Sequence, residues 1–478
     1  MSDHHCGYTP QRCVFEATLA CNLRCRHCGS RAGRARPDEL TLAETSDLFV
    51  QLAELGCERI TISGGEPTMR PDWLELIAAA AGAGLRVGMI TNALKFGDDA
   101  ARAARDAGLG AVGLSLDGVG ETHDRVRGRA GHFDVITAAM DRAAGIGLPW
   151  AAITHVNRLN RGELPQLHEL VRDAGAFAWQ VQLGTEMGNM RDNRELLIAT
   201  HDLPALEREV AALVRRGGVP LLVSDSIGYF GPHERTLRLC QKASTFNGCP
   251  AGKRNLGVES NGNIKGCLSL MAGYNDEGAR FVEGNVRDER LADIWHRRGA
   301  FAYTREWTAV DLSGFCRECE HAEICLGGCR SKMYASGCEG ENPVCVHRAI
   351  VEASGEARAG RAAAVVLASL LGASASACSD SGRIDDEEDG APAGGDTDGD
   401  TDADTDVDAD ADSDADSDGD SDTDIDTDSD TDGDDYGMPD TDTNTDVDEY
   451  GMPDTDTATD TGTDTGGDWY GLPPWTDD

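Results

Sequence analysis

The sequence predicts an α/β fold with a parallel sheet, followed by a small cysteine-rich domain and a disordered acidic tail. Three observations predict it. Short apolar, β-rich runs alternate with longer amphipathic stretches from Val14 to about residue 184. Nine of the 16 cysteines fall between residues 240 and 350. Finally, 39 of the 85 acidic residues lie between Asp380 and Asp478, against a single basic one, Arg383.

Residues 1–13, beginning MSDHHCGYTP, form an N-terminal extension with no basic segment leading into an apolar run. A cytoplasmic, reducing location is therefore expected, and cysteines there serve as metal or cluster ligands rather than disulfides. Strands are expected at Val14–Leu19, Arg59–Ser63, Arg86–Thr91, Ala111–Leu116, Trp150–His155 and Trp179–Leu183. An intervening helix is expected at Leu42–Leu55, opened by a capping box of Thr41 and Glu44. Six successive βα units over residues 14–225 imply a doubly wound sheet or an incomplete barrel, and in both the chemistry gathers at the C-terminal strand ends. Residues 185–239 bridge with a helical pattern and no clear motif.

Residues 226–350 have weak periodicity and are expected to fold around bound metal rather than a large apolar core. In 351–378 an Ala-rich segment ends in AAAVVLASLLGASASAC, apolar over 17 residues. That run is short for a membrane span, and Ala375 stands where a lipoprotein signal has Leu, so a helix packed on the preceding domain is expected and membrane attachment is not. Residues 379–478 bury too little apolar surface to offset chain entropy. They carry nearly all of the net charge of -42, because residues 1–379 hold 46 acidic against 42 basic side chains. Nowhere is there the basic excess that nucleic-acid binding requires.

Cys21, Cys25 and Cys28 form C-x3-C-x2-C just after the first expected strand. Three clustered thiolates suit an iron-sulfur cluster or zinc. Zinc would want a fourth ligand, for which His27 beside Cys28 is awkwardly spaced. On a cubane, three cysteines leave one iron open for a substrate or cofactor.

This motif resembles the hallmark of the radical S-adenosylmethionine superfamily. The resemblance implies a partial (β/α)6 TIM-like barrel, a [4Fe-4S] cluster on Cys21, Cys25 and Cys28, and S-adenosylmethionine chelated at the open iron. It also implies reductive cleavage to a 5'-deoxyadenosyl radical, fed by an external one-electron reductant. Gly64, Gly65, Glu66 and Pro67 after the second strand are similar to the family's GGEP motif, whose backbone contacts the cofactor's amino group. Independently of any family, paired glycines allow close backbone approach. The stretches Gly113–Gly118 and His123–Gly128 are similar to the peptide-modifying branch, which makes Ser115 a candidate cofactor contact and Arg127 a candidate partner of its carboxylate. Asn157, ending the fifth strand, is a further candidate for the site.

Downstream, Cys249 and Cys267 flank Gly262 as C-x12-G-x4-C, and Cys316, Cys319, Cys325 and Cys329 read C-x2-C-x5-C-x3-C, followed by Cys345. By spacing alone a pair of zinc ribbons is an alternative. Beside the upstream motif the block resembles the SPASM extension, which implies two auxiliary [4Fe-4S] clusters: one on Cys240, Cys249, Cys267 and Cys329, the other on Cys316, Cys319, Cys325 and Cys345. Cys338 is the alternative to Cys345, and Cys57 reads as a buried thiol.

Within the tail, an acid, any residue and then Tyr-Gly-Met/Leu-Pro recur at Tyr436, Tyr450 and Tyr470. Repeats on a disordered segment suggest sites of modification or of docking. Since SPASM enzymes commonly modify ribosomally made peptides, the resemblance implies a maturase of a peptide substrate, here the fused tail acting in cis at high effective concentration. A calcium loop beginning at Asp414, Asp416 and Asp418 lacks its bidentate Glu, since Ile425 falls there. A small-molecule enzyme of the same superfamily and a non-catalytic iron-sulfur electron carrier are the alternatives.

Overall fold

The computed structural model describes residues 7–224, 227–241, 243–270 and 277–355. The expected apolar helix at 362–378 and the acidic tail lie outside them. β1 (Arg12–Thr18), β2 (Arg59–Gly64), β3 (Arg86–Thr91), β4 (Leu109–Ser115), β5 (Trp150–Val156), β6 (Ala178–Leu183) and β7 (Leu221–Val223) lie in sequence order, each parallel to the next. Of the two arrangements the alternation allowed, the sequential order selects the barrel wall, because a doubly wound sheet reverses at a switch point. β5 is buried at every residue, as a strand covered on both faces must be. The six expected strands stand within two residues of their places. β7 does not appear among them because three residues behind Pro220 leave no readable period, and the region's helical pattern belongs to the preceding helix, Leu203–Arg216.

Between β1 and β2 runs α1 (Leu42–Glu54), opened by the expected capping box: the Glu44 amide donates to Thr41 Oγ1 at 3.3 Å and the Thr41 amide to Glu44 Oε2 at 2.8 Å. Its buried face carries Leu48, Phe49 and Leu52, with Phe49 edge-on to Phe15 of β1 at 5.4 Å.

The cysteine-rich segment extends the barrel's sheet. β8 (Asn255–Val258) pairs in parallel with β1, from Arg12 opposite Asn255 to Phe15 opposite Val258. β9 (Asn263–Lys265) and β10 (Gly284–Asn285) continue the same sheet antiparallel, making ten strands in all. Leu256, Val258, Ile264, Leu291, Trp295 and Phe301 belong to one core with Phe15, Leu48 and Phe49. The segment therefore buries apolar surface on the barrel instead of relying on metal alone, and the sheet crosses the boundary expected at residue 225. The reason lies in β1: an open barrel edge offers unpaired backbone groups, and β8 satisfies them. Among the described residues no helix is long and apolar enough to cross a membrane.

One core predicts one transition. Trp295→Ala, which removes a fully buried ring whose Nε1 donates to the Tyr8 carbonyl at 2.9 Å, should cost about 3–5 kcal/mol. Chemical denaturation followed by far-ultraviolet dichroism should show a single shifted transition; a second, unshifted barrel transition would contradict the shared core.

Candidate active site

The chain leaves β1 as an irregular loop bearing Cys21, Cys25 and Cys28, and all three thiols line a cavity of ≈ 340 Å³. The loop is held by the backbone of distant segments. The Arg26 amide donates to the Val126 carbonyl at 3.0 Å, and Asn189 reaches the Cys28 carbonyl with its amide and the Cys25 carbonyl with its side chain, each at 2.8 Å. Burial pushes the Cys21 thiol up to about 11 and also raises Cys25, whose Sγ lies 3.7 Å from Arg127 Nη1. Neither thiol ionises readily by itself, so a metal must displace the proton.

Gly64 and Gly65 end β2 against this loop. A Cβ on Gly65 would stand 2.3 Å from the Ala20 carbonyl oxygen, and one on Gly64, at φ +127°, 2.4 Å from that of Thr18. The close approach these glycines permit is thus first to the cysteine loop itself. The Gly65 and Glu66 amides donate to the Thr18 and Ala20 carbonyls, both at 2.8 Å. Glu66 is buried, and its carboxylate is taken up within the protein: Oε1 accepts from Thr68 Oγ1 and Thr91 Oγ1 at 2.7 Å, Oε2 from the Asn92 amide at 2.7 Å. Its side chain fixes the turn into the short helix Pro67–Met69 rather than reaching for a ligand.

Ser115 lines the cavity at the end of β4, beside Asp117. Asp117 is 1 % exposed and meets Arg127 Nε at 2.7 Å and His27 Nε2 at 3.4 Å. The expected carboxylate partner Arg127 thus already faces a carboxylate and a thiol. The sequence HDRVRG has a scaffolding part: the Asp117 amide donates to His123 Nδ1 at 3.1 Å, His123 Nε2 meets His132 Nδ1 at 2.7 Å, and His132 Nε2 meets the Asn92 carbonyl at 2.9 Å. This chain ties the end of β4 to the end of β3. Burial lowers His123 to about 3, so it stays neutral. Asn157 is turned away from the cavity: its Nδ2 donates to the His155 carbonyl at 3.2 Å and its Oδ1 accepts from the Leu159 amide at 2.9 Å.

Several cavity residues carried no sequence signal. His155, Gln180 and Asn255 are buried polar side chains that line the cavity. Lys332 lines it too, reaching in from the cysteine-rich segment. They sit singly on strands and on one short helix, in no spaced motif, so only the closure of the barrel brings them together.

Further along, the chain gathers two sets of cysteines. Burial takes Cys249 to about 12 and raises Cys267; Cys329 adds to the rise of both, and Cys249 to that of Cys267. Cys325 and Cys345 are raised by burial and then by Cys316 and Cys319. The alternative Cys338 instead points at the Ser336 carbonyl, 3.4 Å away. Cys240 departs from the expected set: it is exposed, and burial and the Leu221 backbone are the influences on its thiol, with no described cysteine among them. Cys57 is a buried thiol, pushed up by burial to about 12.

The donor spacing tests the zinc alternative. A tetrahedral zinc with bonds of about 2.3 Å holds its sulfurs roughly 3.8 Å apart. Among the described residues the group with ligand atoms all within 4.8 Å of one another is Glu320, His321 and His347, and no three thiols meet that limit. Thiols that sense one another yet stand wider than one ion allows fit a multi-iron cluster.

A model of the radical SAM superfamily matches residues 15–171, and a model of an iron-sulfur cluster-binding domain, SPASM, matches residues 249–320. Over 70% of this chain and 87% of its relative, the sequence is 30% identical to mycofactocin maturase MftC of Mycobacterium ulcerans. It is 28% identical to AdoMet-dependent heme synthase of Methanosarcina barkeri, covering 71% of this chain and 97% of the relative. The structure of SuiB from Streptococcus suis bound to its precursor peptide SuiA shares the fold, with a TM-score of 0.56 at 17% identity over 70% of this chain and 75% of that one.

Two outcomes are expected from the geometry. Gly65→Ala should displace the cysteine loop and lower cluster iron and cofactor cleavage at least tenfold, whereas Gly82→Ala, where a Cβ meets nothing within 4 Å, should leave both unchanged and stabilise the fold by about 0.4–1 kcal/mol. Cys240→Ser should keep the full iron content of the reconstituted protein, while Cys249→Ser, Cys267→Ser or Cys329→Ser should each lose about one cluster's worth; iron analysis separates the two, and equal losses would return Cys240 to the ligand set.

Proposed function

Because the chain belongs to the radical S-adenosylmethionine superfamily and carries its SPASM iron-sulfur extension, we propose that it is a cytoplasmic peptide maturase whose substrate is its own acidic tail. The observation that carries this reading is that one cavity is walled both by Cys21, Cys25 and Cys28 at the strand ends and by Cys267, Ser331 and Lys332 of the cysteine-rich segment. A substrate held there faces both cysteine sets at once. The recurring Tyr-Gly-Met/Leu-Pro units at Tyr436, Tyr450 and Tyr470 supply the peptide, with Tyr or Met as the target. The mycofactocin maturase relative is named for an activity of the same kind. All described cysteines are free, in keeping with a reducing compartment.

When bound, the catalytic cluster with S-adenosylmethionine supplies a one-electron cleavage that yields a hydrogen-abstracting 5'-deoxyadenosyl radical. Cys21, Cys25 and Cys28 would hold the catalytic cluster, with S-adenosylmethionine as the ligand bound beside it. Gly64 and Gly65, pinned to the cysteine loop, present backbone groups at a fixed distance, with Glu66 holding their turn. Ser115 stands at the end of β4 to receive the cofactor. Asp117 and Arg127 act on each other and on Cys25, keeping the loop's charge compensated as its thiol ionises. Cys249, Cys267 and Cys329, and separately Cys316, Cys319, Cys325 and Cys345, would hold the auxiliary clusters, which would supply electron transfer beside the cavity.

A second reading, small-molecule chemistry, is favoured by the 28% identity to AdoMet-dependent heme synthase. The experiment compares the anaerobically reconstituted full chain, given a reductant and S-adenosylmethionine, with the variant Cys21→Ala/Cys25→Ala/Cys28→Ala. The expected result is 5'-deoxyadenosine and a changed mass in tail peptides of the parent only. Cleavage with an unchanged tail would turn the reading to an external substrate, and no cleavage with intact clusters would turn it to an electron carrier.

A further inference from the structure

Lys332 is 2 % exposed and carries its ammonium on the cavity wall. Its Nζ donates to the Leu183 carbonyl at 3.1 Å and to the Gly184 carbonyl, both at the C-terminal end of β6. No carboxylate of the described residues forms an ion pair with it. An ammonium satisfied by two backbone dipoles and no carboxylate is costly to bury; burial lowers Lys332 to about 7, and Cys329 raises it by a smaller amount. It is compensated only in part and opens onto ligand space.

Its surroundings are equally unsatisfied. On β5, both ring nitrogens of His155 lack a hydrogen-bond partner, and on β6 the same holds for Gln180 Oε1. These side chains are 7 % and 2 % exposed, and both line the cavity. His155 and Lys332 are close enough for the ammonium to depress the imidazole, after burial and His27. Buried polar atoms left without partners point to a polar occupant that supplies them.

We infer that Lys332, with an N–H of the neutral His155 ring, forms a subsite for a substrate carboxylate, while Gln180 Oε1, an acceptor, takes an N–H of the same substrate. Two carboxylates could enter the cavity, that of S-adenosylmethionine and that of the substrate. The sheet favours the second: Gly64 ends β2 with Gly65 just beyond it, and Lys332 is anchored at the end of β6, with β3, β4 and β5 between them. The inference rests on the tail being substrate when it names the acid, and it then deepens that reading. The residues two before each repeated tyrosine are Asp434, Asp448 and Asp468, an acid present in all three copies even where the next residue is Trp469. A buried ammonium that selects an acid over its amide explains why that position is constant within this chain.

The test uses the reconstituted full chain. Lys332→Met should keep its iron and cleave S-adenosylmethionine within about twofold of the parent, while tail modification falls about tenfold or more, as the loss of one charge-assisted contact implies. Lys332→Arg should recover part of it. Asp434→Asn/Asp448→Asn/Asp468→Asn should produce the same loss in the parent and no further loss in Lys332→Met, a dependence that a merely structural lysine would not create. Normal modification of the Asn variant, or loss of cofactor binding in Lys332→Met, overturns the assignment; the latter gives the subsite to S-adenosylmethionine.

If the parent tail keeps its mass, the tail reading fails separately. The subsite is then decided by calorimetry with two added peptides, acetyl-Asp-Asp-Tyr-Gly-amide and acetyl-Asn-Asn-Tyr-Gly-amide. The parent should bind the acidic peptide about tenfold more tightly, and Lys332→Met should bind the two alike. Equal affinity in the parent, or no binding of the acidic peptide, overturns the assignment.

Discussion

The end of β2 meets the loop after β1 at a distance that only glycine permits. Backbone packs on backbone there, with the Gly65 Cα facing the Ala20 carbonyl so closely that a methyl group would stand 2.3 Å from the oxygen. Two amide-to-carbonyl bonds at 2.8 Å lock the contact, and the Glu66 carboxylate, shared among Thr68, Thr91 and Asn92, extends the lock to the end of β3. The cysteine loop has no secondary structure of its own, so the placement of its thiols rests on this junction and on the Asn189 contacts from beyond β6. A rigid scaffold positioning an irregular loop is how barrels carry chemistry.

The second organising fact is that β8 closes onto β1. A cysteine-rich segment of this size could have hung from the barrel by a linker. It instead continues the sheet and shares the core through Leu256, Trp295 and Phe301. The consequence for function is geometric: Cys267 and Lys332 stand in the wall of the same cavity as Cys21, Cys25 and Cys28, and no domain motion is needed to bring them there. Buried around that cavity are imidazoles kept neutral by burial, with His27 lowered to about 3, and three acids, Glu16, Glu66 and Asp117, each engaged by protein partners.

Much of this was legible in the sequence. Strands buried on both faces announce themselves as apolar runs, and the three N-terminal cysteines with the Gly-Gly-Glu-Pro turn are contiguous in the chain, so spacing alone exposes them. The cysteines of the auxiliary sets are also legible in their pairs, because C-x2-C and C-x3-C spacings survive folding. What the chain order does not reveal involves long-range choices. Cys240 is near Cys249 in the sequence and is exposed in the fold, and Arg127, expected to face a ligand carboxylate, lines the cavity while meeting Asp117.

By itself, then, the sequence determined the barrel's strands and the motifs of its family, because each is written in local periodicity or local spacing. Tertiary structure alone decided that the cysteine-rich segment would join the sheet, which cysteines would stand together, and that His155, Gln180 and Lys332 would share one wall. Those residues have no motif to betray them: they lie on β5, on β6 and on a short helix about 150 residues further along, and what unites them is that the barrel and the cysteine-rich segment share a core and wall one cavity.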